Sequence, residues 1–183
     1  MKYLVASDIH GSCDDCEKLI QAFEREDADQ LLLLGDILYH GPRNDLPVSY
    51  APKKVFALLN RYKDQILCVR GNCDAEVDQM VLDFPILEEH RILELFGRRF
   101  FLTHGHHVNM DALPDPALSQ GARYLLYGHT HVPLNREREG IRCINPGSVS
   151  IPKNGSWKGY MTIEAEGIRW KELSGRYMDK LDW

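Results

Sequence analysis

The sequence predicts an α/β (α+β) fold: a mixed system of sheets with helices on the outside. Two observations carry this prediction. Short apolar runs alternate with helix-period segments in the first half of the chain, and pairs of strand-like segments around short turns dominate the second half. Alternating strands and helices favour parallel pairing, whereas closely spaced strand pairs favour antiparallel hairpins.

The first half contains continuous apolar runs of the length expected for buried strands. They lie at residues 3–7, 31–34 and 66–70. Apolar side chains at helical spacing predict an amphipathic helix over residues 13–26, and Ser12 with Asp15 resembles a capping box. Pro52 suits the first turn of a second helix.

The second half is predicted to consist mainly of hairpins, with one further strand at residues 123–128. Each pair of strands flanks a short turn that contains glycine. The pairs are 91–96 with 98–103, 133–138 with 141–145, and 159–165 with 168–173. Because no linker, repeat or low-complexity tract divides the chain, we expect a single domain over residues 1–183.

The composition bounds the function. A net charge of −5 argues against stable nucleic-acid binding, which usually needs a basic face. No apolar stretch approaches the ~20 residues that span a bilayer, and the N-terminus lacks a signal-type apolar core. We therefore expect a cytoplasmic protein that acts on a small molecule. Self-association stays open, and the apolar tail from Gly175 is expected to dock on its own domain or on another subunit.

A short polar motif directly follows each of five predicted strands. In open α/β sheets, functional side chains gather at the carboxyl ends of strands. We therefore expect one edge of the fold to collect the polar residues of all five motifs. The motifs are Asp8-x-His10, Gly35-Asp36, Gly71-Asn72-x-Asp74, His104-x-His106 and Gly128-His129-x-His131.

These residue types suit two divalent metal ions. A carboxylate such as Asp36 can bridge two metals, Asn72 adds a neutral oxygen, and the histidines add imidazole nitrogens. A mixed oxygen and nitrogen shell favours manganese, our first expectation, or iron, zinc, nickel or cobalt over calcium and magnesium. Two metals roughly 3.5–4 Å apart can hold a bridging hydroxide that attacks phosphorus in line.

In this order, the five motifs resemble those of the calcineurin-like metallophosphoesterase superfamily. The Gly-Asn-Cys-Asp sequence and residues 40–44 and 145–148 are similar to its YfcE-type phosphodiesterase branch. The resemblance covers residues 3–153 and implies a two-sheet β-sandwich, flanked by α-helices, with a dinuclear site at one edge. Residues 145–148 are either a plain turn or a brace for the metal-bearing loops, and we expect the brace.

The resemblance implies two sets of metal ligands that share Asp36. The first metal would be bound by Asp8, His10, Asp36 and His131, and the second by Asp36, Asn72, His104 and His129. Asp36 and Asn72 are thereby also candidate catalytic residues.

One position departs from the pattern of many phosphatases in the superfamily. They have a histidine, thought to protonate the leaving group, where this chain has Cys73. With an ordinary pKa near ~8.5, this thiol could donate a proton only poorly. Asp74 or His106 is an alternative donor. We therefore expect a metal-dependent phosphodiesterase and place phosphodiesters ahead of monoesters.

Two other functions stay open. The first is a phosphomonoesterase or protein phosphatase, against which Cys73 argues. The second is a protein-interaction scaffold with a vestigial site, against which the complete set of seven candidate ligands argues. Arg43 and Asn44 lie on the long loop after Asp36, where they are either a solvated turn or contacts to the phosphate.

Overall fold

The computed structural model describes residues 1–108 and 121–183, which form eleven strands in two sheets. The first sheet contains β1 Tyr3–Ala6, β2 Gln30–Leu33, β3 Ile66–Cys68, β9 Gly159–Glu164, β10 Gly167–Glu172 and β11 Tyr177–Asp182. The second sheet contains β4 His90–Leu95, β5 Arg98–Thr103, β6 Tyr124–Leu126, β7 Leu134–Arg138 and β8 Ile141–Asn145.

Each sheet combines three parallel strands with antiparallel ones, which lie on one side of the parallel strands in the first sheet and on both sides in the second. The first has the order β11-β10-β9-β1-β2-β3, in which β1, β2 and β3 are parallel. The second has the order β4-β5-β6-β8-β7, in which β5, β6 and β8 are parallel. Since parallel strands direct their carboxyl ends to the same edge, both sheets deliver the loops that follow them to one side of the molecule.

The helices described by the structure are α1 Cys13–Arg25, α2 Pro52–Leu59 and the single-turn α3 Glu76–Gln79, with a 3-10 segment at Asn60–Gln65. α1 and α2 pack on the outer face of the first sheet. Neither they nor any other helix in residues 1–108 and 121–183 has the length and apolar character to cross a membrane.

The described residues form three buried apolar clusters, and β1 contributes to two of them because its side chains alternate between the faces of the first sheet. Leu4 and Ala6 pack with the helices, whereas Tyr3 and Val5 face the second sheet. Phe100 of β5 is fully buried in the layer between the sheets. The predicted fold class, a two-sheet sandwich flanked by helices, is confirmed.

Two local features differ from or complete the sequence predictions. The capping box is wrong: the Ser12 hydroxyl donates to the Asp15 carboxylate at 2.7 Å and does not cap a backbone amide of α1. Asp15 also accepts a hydrogen bond from Lys158 Nζ at 2.7 Å. The C-terminal tail docks on its own fold as β11, and Trp183 packs against Phe100.

We predict that Phe100→Ala lowers the free energy of unfolding by about 3–5 kcal/mol, because it leaves a cavity between the sheets. Urea denaturation followed by circular dichroism measures the change. The matched control is Val48→Ala at a fully exposed loop position, which should stay within about 0.5 kcal/mol of the unsubstituted protein. Equal effects of the two substitutions would contradict this account of the core.

Candidate metal centre

Most of the candidate ligands lie on strained turns directly after strands. Positive φ values are uncommon for residues with side chains, cost about 1–3 kcal/mol each, and cluster at functional sites. Of the seven candidate ligands, five have them: Asp8 (59°), His10 (48°), Asp36 (57°), His129 (64°) and His131 (60°). These turns bend the chain at the strand ends and aim the side chains into a common space.

Two glycines of the motifs permit close approach of the loops. A Cβ atom on Gly71 would lie 2.1 Å from Asp36 Oδ1, and one on Gly128 would lie 1.9 Å from Ser7 Oγ. Neither position tolerates a side chain without displacing the neighbouring loop. Close packing of the loops around the site therefore explains why positions 71 and 128 are glycine.

Hydrogen bonds to backbone carbonyls fix the tautomer of three histidines. Nδ1 of His10 donates to Tyr39 O at 2.8 Å, and Nδ1 of His104 donates to Leu34 O at 2.6 Å. Nδ1 of His131 donates to Ile151 O at 2.6 Å. A carbonyl oxygen can only accept, so each Nδ1 carries a proton, and each ring presents its Nε2 lone pair once Nε2 is deprotonated, as metal binding requires.

The first group of ligand atoms consists of acceptors at close range. The Nε2 atoms of His10 and His131 are 3.2 Å apart, and they lie 3.5 and 3.2 Å from Asp8 Oδ1. This oxygen is buried and has no hydrogen-bond partner among the described residues. Lone pairs in this arrangement repel one another unless a proton or a cation lies between them, which fits a divalent metal ion.

The second group lies around Asp36 and His104. His104 Nε2 is 3.1 Å from Asn72 Oδ1 and 3.3 Å from Asp36 Oδ2. Asp36 Oδ2 is also 3.7 Å from His10 Nε2, so this one oxygen is close to both groups. Asp36 Oδ1 accepts a hydrogen bond from the amide of Cys73 at 2.8 Å, which holds the carboxylate in place.

The local field attracts positive charge. Burial would raise the pKa of Asp8, but the contacts with His10 and His131 hold it well below its usual range. Burial opposes protonation of His104, yet Asp36 and Asp8 raise its pKa to about 9. The buried carboxylates therefore favour a cation beside them, and the residues present fit a metal.

His129 completes the set at the open side of the centre. Its amide donates to Asp8 Oδ2 at 3.1 Å, and its ring lies 5.1 Å from the His104 ring. The structure thus brings all seven candidate ligands to one edge of the sandwich. Their division between two metals stays a prediction, since Asp8 also lies with Asp36 and His104 as a possible ligand group.

The expected brace at residues 145–148 is confirmed by its hydrogen bonds. Asn145 Nδ2 donates to Gly128 O at 2.7 Å and to Thr130 Oγ1 at 3.1 Å. The hydroxyl of Ser148 donates to Asp8 O at 2.8 Å. These bonds hold the loops of both sheets against each other behind the ligands.

Asp74 is a second brace, and sequence reasoning missed this role. Its buried carboxylate accepts hydrogen bonds from the amides of Asp36 (2.8 Å), Ile37 (2.9 Å) and Gly71 (2.7 Å). Burial is the main cause that raises its pKa to about 6. Because both oxygens are engaged behind Asp36, Asp74 is not placed to donate a proton to a substrate.

The two other candidate proton donors have unfavourable surroundings. The ordinary pKa expected for Cys73 is wrong, because burial and the Asp36 carboxylate raise the pKa of its thiol. Burial and the neighbouring His104 lower the pKa of His106 to about 4, so its ring is neutral near pH 7. The His106 ring lies 5.5 Å from that of His104, beside the ligands.

A small polar cavity opens from the centre to solvent. Arg43 and Asn44 line it with the ligands Asp36, Asn72, His129 and His131. Lys153 also lines it, although no pattern in the sequence distinguishes this residue from a solvated lysine. Cations at its rim suit an anionic phosphate.

A two-sheet sandwich that gathers carboxylates and imidazoles at one edge defines the class of metallophosphoesterases. The chain belongs to the calcineurin-like phosphoesterase superfamily, whose domain matches residues 1–167. It is therefore a hydrolase of a metal-dependent family.

Individual relatives agree with this assignment. The chain is 49% identical to phosphodiesterase YfcE of Escherichia coli K12 over 164 residues, which cover 90% of this chain and 88% of YfcE. Phosphodiesterase MJ0936 of Methanocaldococcus jannaschii is 28% identical over 154 residues, or 80% of this chain and 83% of that protein. The solved structure of the E. coli phosphoesterase YfcE superposes with a TM-score of 0.91 at 43% identity, covering 100% and 99% of the two chains.

A more distant structure shares the fold alone. Vps29 of Entamoeba histolytica, solved with zinc, has a TM-score of 0.65 at 19% identity and covers 100% of this chain and 99% of its own.

We predict that Gly71→Ala weakens Mn²⁺ binding at least about tenfold, because the added Cβ would displace the Asp36 carboxylate. Calorimetric titration of the chelator-stripped protein with Mn²⁺ measures the affinity, and circular dichroism checks the fold. Gly140→Ala is the control: its positive φ of 77° makes alanine costly for stability, but the added Cβ meets nothing within 4 Å and lies in the β7–β8 turn, so the Mn²⁺ affinity should stay unchanged. Unchanged affinity in folded Gly71→Ala protein would contradict the role of Asp36.

Proposed function

We propose that the protein hydrolyses a soluble phosphodiester at a dinuclear metal centre and works as one catalytic domain over residues 1–183. The observation that carries the proposal is the position of Asp36 Oδ2, near the Nε2 atoms of both His10 and His104. One oxygen shared between two groups of lone-pair donors is the arrangement that a bridging carboxylate requires.

In this proposal, Asp8, His10, Asp36 and His131 hold one divalent ion, and Asp36, Asn72, His104 and His129 hold the other. When bound, the pair of ions supplies an activated water as nucleophile and offsets charge on the phosphoryl oxygens. Manganese is the expected metal and iron, zinc, nickel or cobalt are the alternatives, because a donor set that mixes oxygen and imidazole nitrogen suits these metals better than calcium or magnesium. The site is proposed to act in the cytoplasm.

The chain's own residues would bind and orient the substrate. Arg43 and Lys153 at the cavity rim offset the negative charge of the phosphate, and Asn44 offers an amide for hydrogen bonding. The carbonyls of Tyr39, Leu34 and Ile151 keep the histidines in one tautomer throughout.

The leaving group would depart without strong acid assistance. The thiol of Cys73 has a raised pKa and His106 a lowered one, so neither supplies a proton readily near neutral pH. Such a site favours esters whose leaving groups are stable as anions. Together with the phosphodiesterase names of two relatives, this supports diesters ahead of monoesters.

We expect the chelator-stripped protein to be inactive, and restored Mn²⁺ to give a higher kcat/KM for bis-p-nitrophenyl phosphate than for p-nitrophenyl phosphate. Release of p-nitrophenol under matched conditions measures both. Faster cleavage of the monoester would favour the alternative that the protein is a phosphomonoesterase. If neither ester is cleaved with manganese, iron, zinc, nickel or cobalt, the alternative of a protein-interaction scaffold would be favoured.

We expect Asp36→Asn and His129→Ala each to reduce kcat at least about a hundredfold, because each removes a proposed ligand. Circular dichroism and urea denaturation should show an intact fold. His107→Ala is the matched control, because this histidine is 76% exposed and belongs to neither ligand set. Near-normal turnover in either ligand variant would refute the assignment.

A further inference from the structure

An apolar groove adjoins the candidate metal centre. It has a volume of about 410 Å³, within the range of small-molecule sites. Its walls come from the loop after β2, from α2 and from the segment around α3. The side chains that matter here are Tyr39, Tyr50, Phe56, Cys73, Val77 and Val81.

Several of these side chains are unusually exposed for apolar residues. Val77 is 64% exposed, Tyr39 42% and Val81 37%. The charged side chains of Lys53 and Asp78 also line the groove. An exposed apolar patch beside charged groups is typical of a binding surface.

The groove shares its walls with the metal centre. Cys73 lines both the apolar groove and the polar cavity, and its amide donates to Asp36 Oδ1 at 2.8 Å. The carbonyl of Tyr39 accepts the hydrogen bond from His10 Nδ1 at 2.8 Å. The Tyr50 ring packs on Gly11, where a Cβ would lie 2.5 Å from it. A ligand bound at the metals is thus next to the groove.

A phosphodiester has chemical groups that fit both the polar cavity and the apolar groove. Its phosphate is anionic and suits the polar cavity with Arg43 and Lys153, whereas its two organic arms have to be accommodated elsewhere. The groove is lined by aromatic rings, and the His40 ring lies 4.7 and 5.3 Å from those of Tyr39 and Tyr50. Rings of this kind pack well against a flat apolar group.

We propose that the apolar groove binds one organic arm of the phosphodiester, and that this arm is aromatic or similarly flat and apolar. The inference rests on the proposed function, because it assumes that the phosphate lies at the metal centre. The concave shape and the shared walls favour an ester arm over a partner protein.

The test compares two phosphinate anions that cannot be hydrolysed, diphenylphosphinate and dimethylphosphinate. They share the anionic head and differ only in their apolar arms. Calorimetric titration of the Mn²⁺-loaded protein should give at least about tenfold tighter binding of the diphenyl compound. Equal affinities, or no binding of either compound, would overturn the proposal.

Substitutions in the groove test whether the preference for the diphenyl compound arises there. The double substitution Val77→Gln with Val81→Gln should reduce the preference for the diphenyl compound to about threefold or less. It should also raise KM for bis-p-nitrophenyl phosphate about fivefold with little change in kcat, as expected when binding of the ground state and of the transition state is weakened equally.

Met80→Gln is the matched control, since Met80 is 83% exposed between the two valines in sequence and lies outside the groove lining. It should leave both the preference and KM unchanged. A preference that persists in the double variant would overturn the proposal. A groove preference without any hydrolysis of diesters would instead refute the proposed function and leave the groove as an aryl-binding site.

Discussion

Two buried carboxylates impose the main constraint on this structure. Asp8 and Asp36 are 0% and 2% exposed, and burying two anions side by side is costly unless they are paired. Imidazole rings surround them, and the amides of His129 and Cys73 each donate one hydrogen bond to them. The strained turns, the glycines that permit close approach and the polar braces all hold the two carboxylates and the groups that pair with them in one geometry.

The constraint couples the site to the core, because its residues come from both sheets. Asp8, Asp36 and Asn72 follow strands of the first sheet, whereas His104 and His129 follow strands of the second. The ligand groups therefore form only when the two sheets are packed together. A hydrogen bond of 2.8 Å from the indole of Trp170 to Asn145 O links the buried layer directly to the brace behind the ligands.

The sequence predicted the structure best where a local pattern of residues was enough to indicate both an element and its role in the fold. Apolar runs ending in Asp8 or His129 predicted both the strands and the edge at which the ligands meet. The single-turn α3 has too few residues to show a helical period, so no pattern in the sequence predicts it. In the sequence, Asp74 looks like one more candidate acid. Its role as a brace depends on amides from a loop near residue 36. The apolar groove likewise combines three distant segments, so no local pattern could indicate it.

The departure at Cys73 becomes understandable from its position between the polar cavity and the apolar groove. A histidine there would carry a proton and its charge to the wall of an apolar space beside Val77, at a cost in desolvation. The half-buried thiol, whose pKa is raised by burial and by Asp36, stays neutral and leaves the groove apolar. In the proposed function, the absence of a strong proton donor and the apolar character of the groove would both depend on this one residue. An enzyme that works as proposed would select its substrate by the organic arm it can bind and by a leaving group that needs no proton.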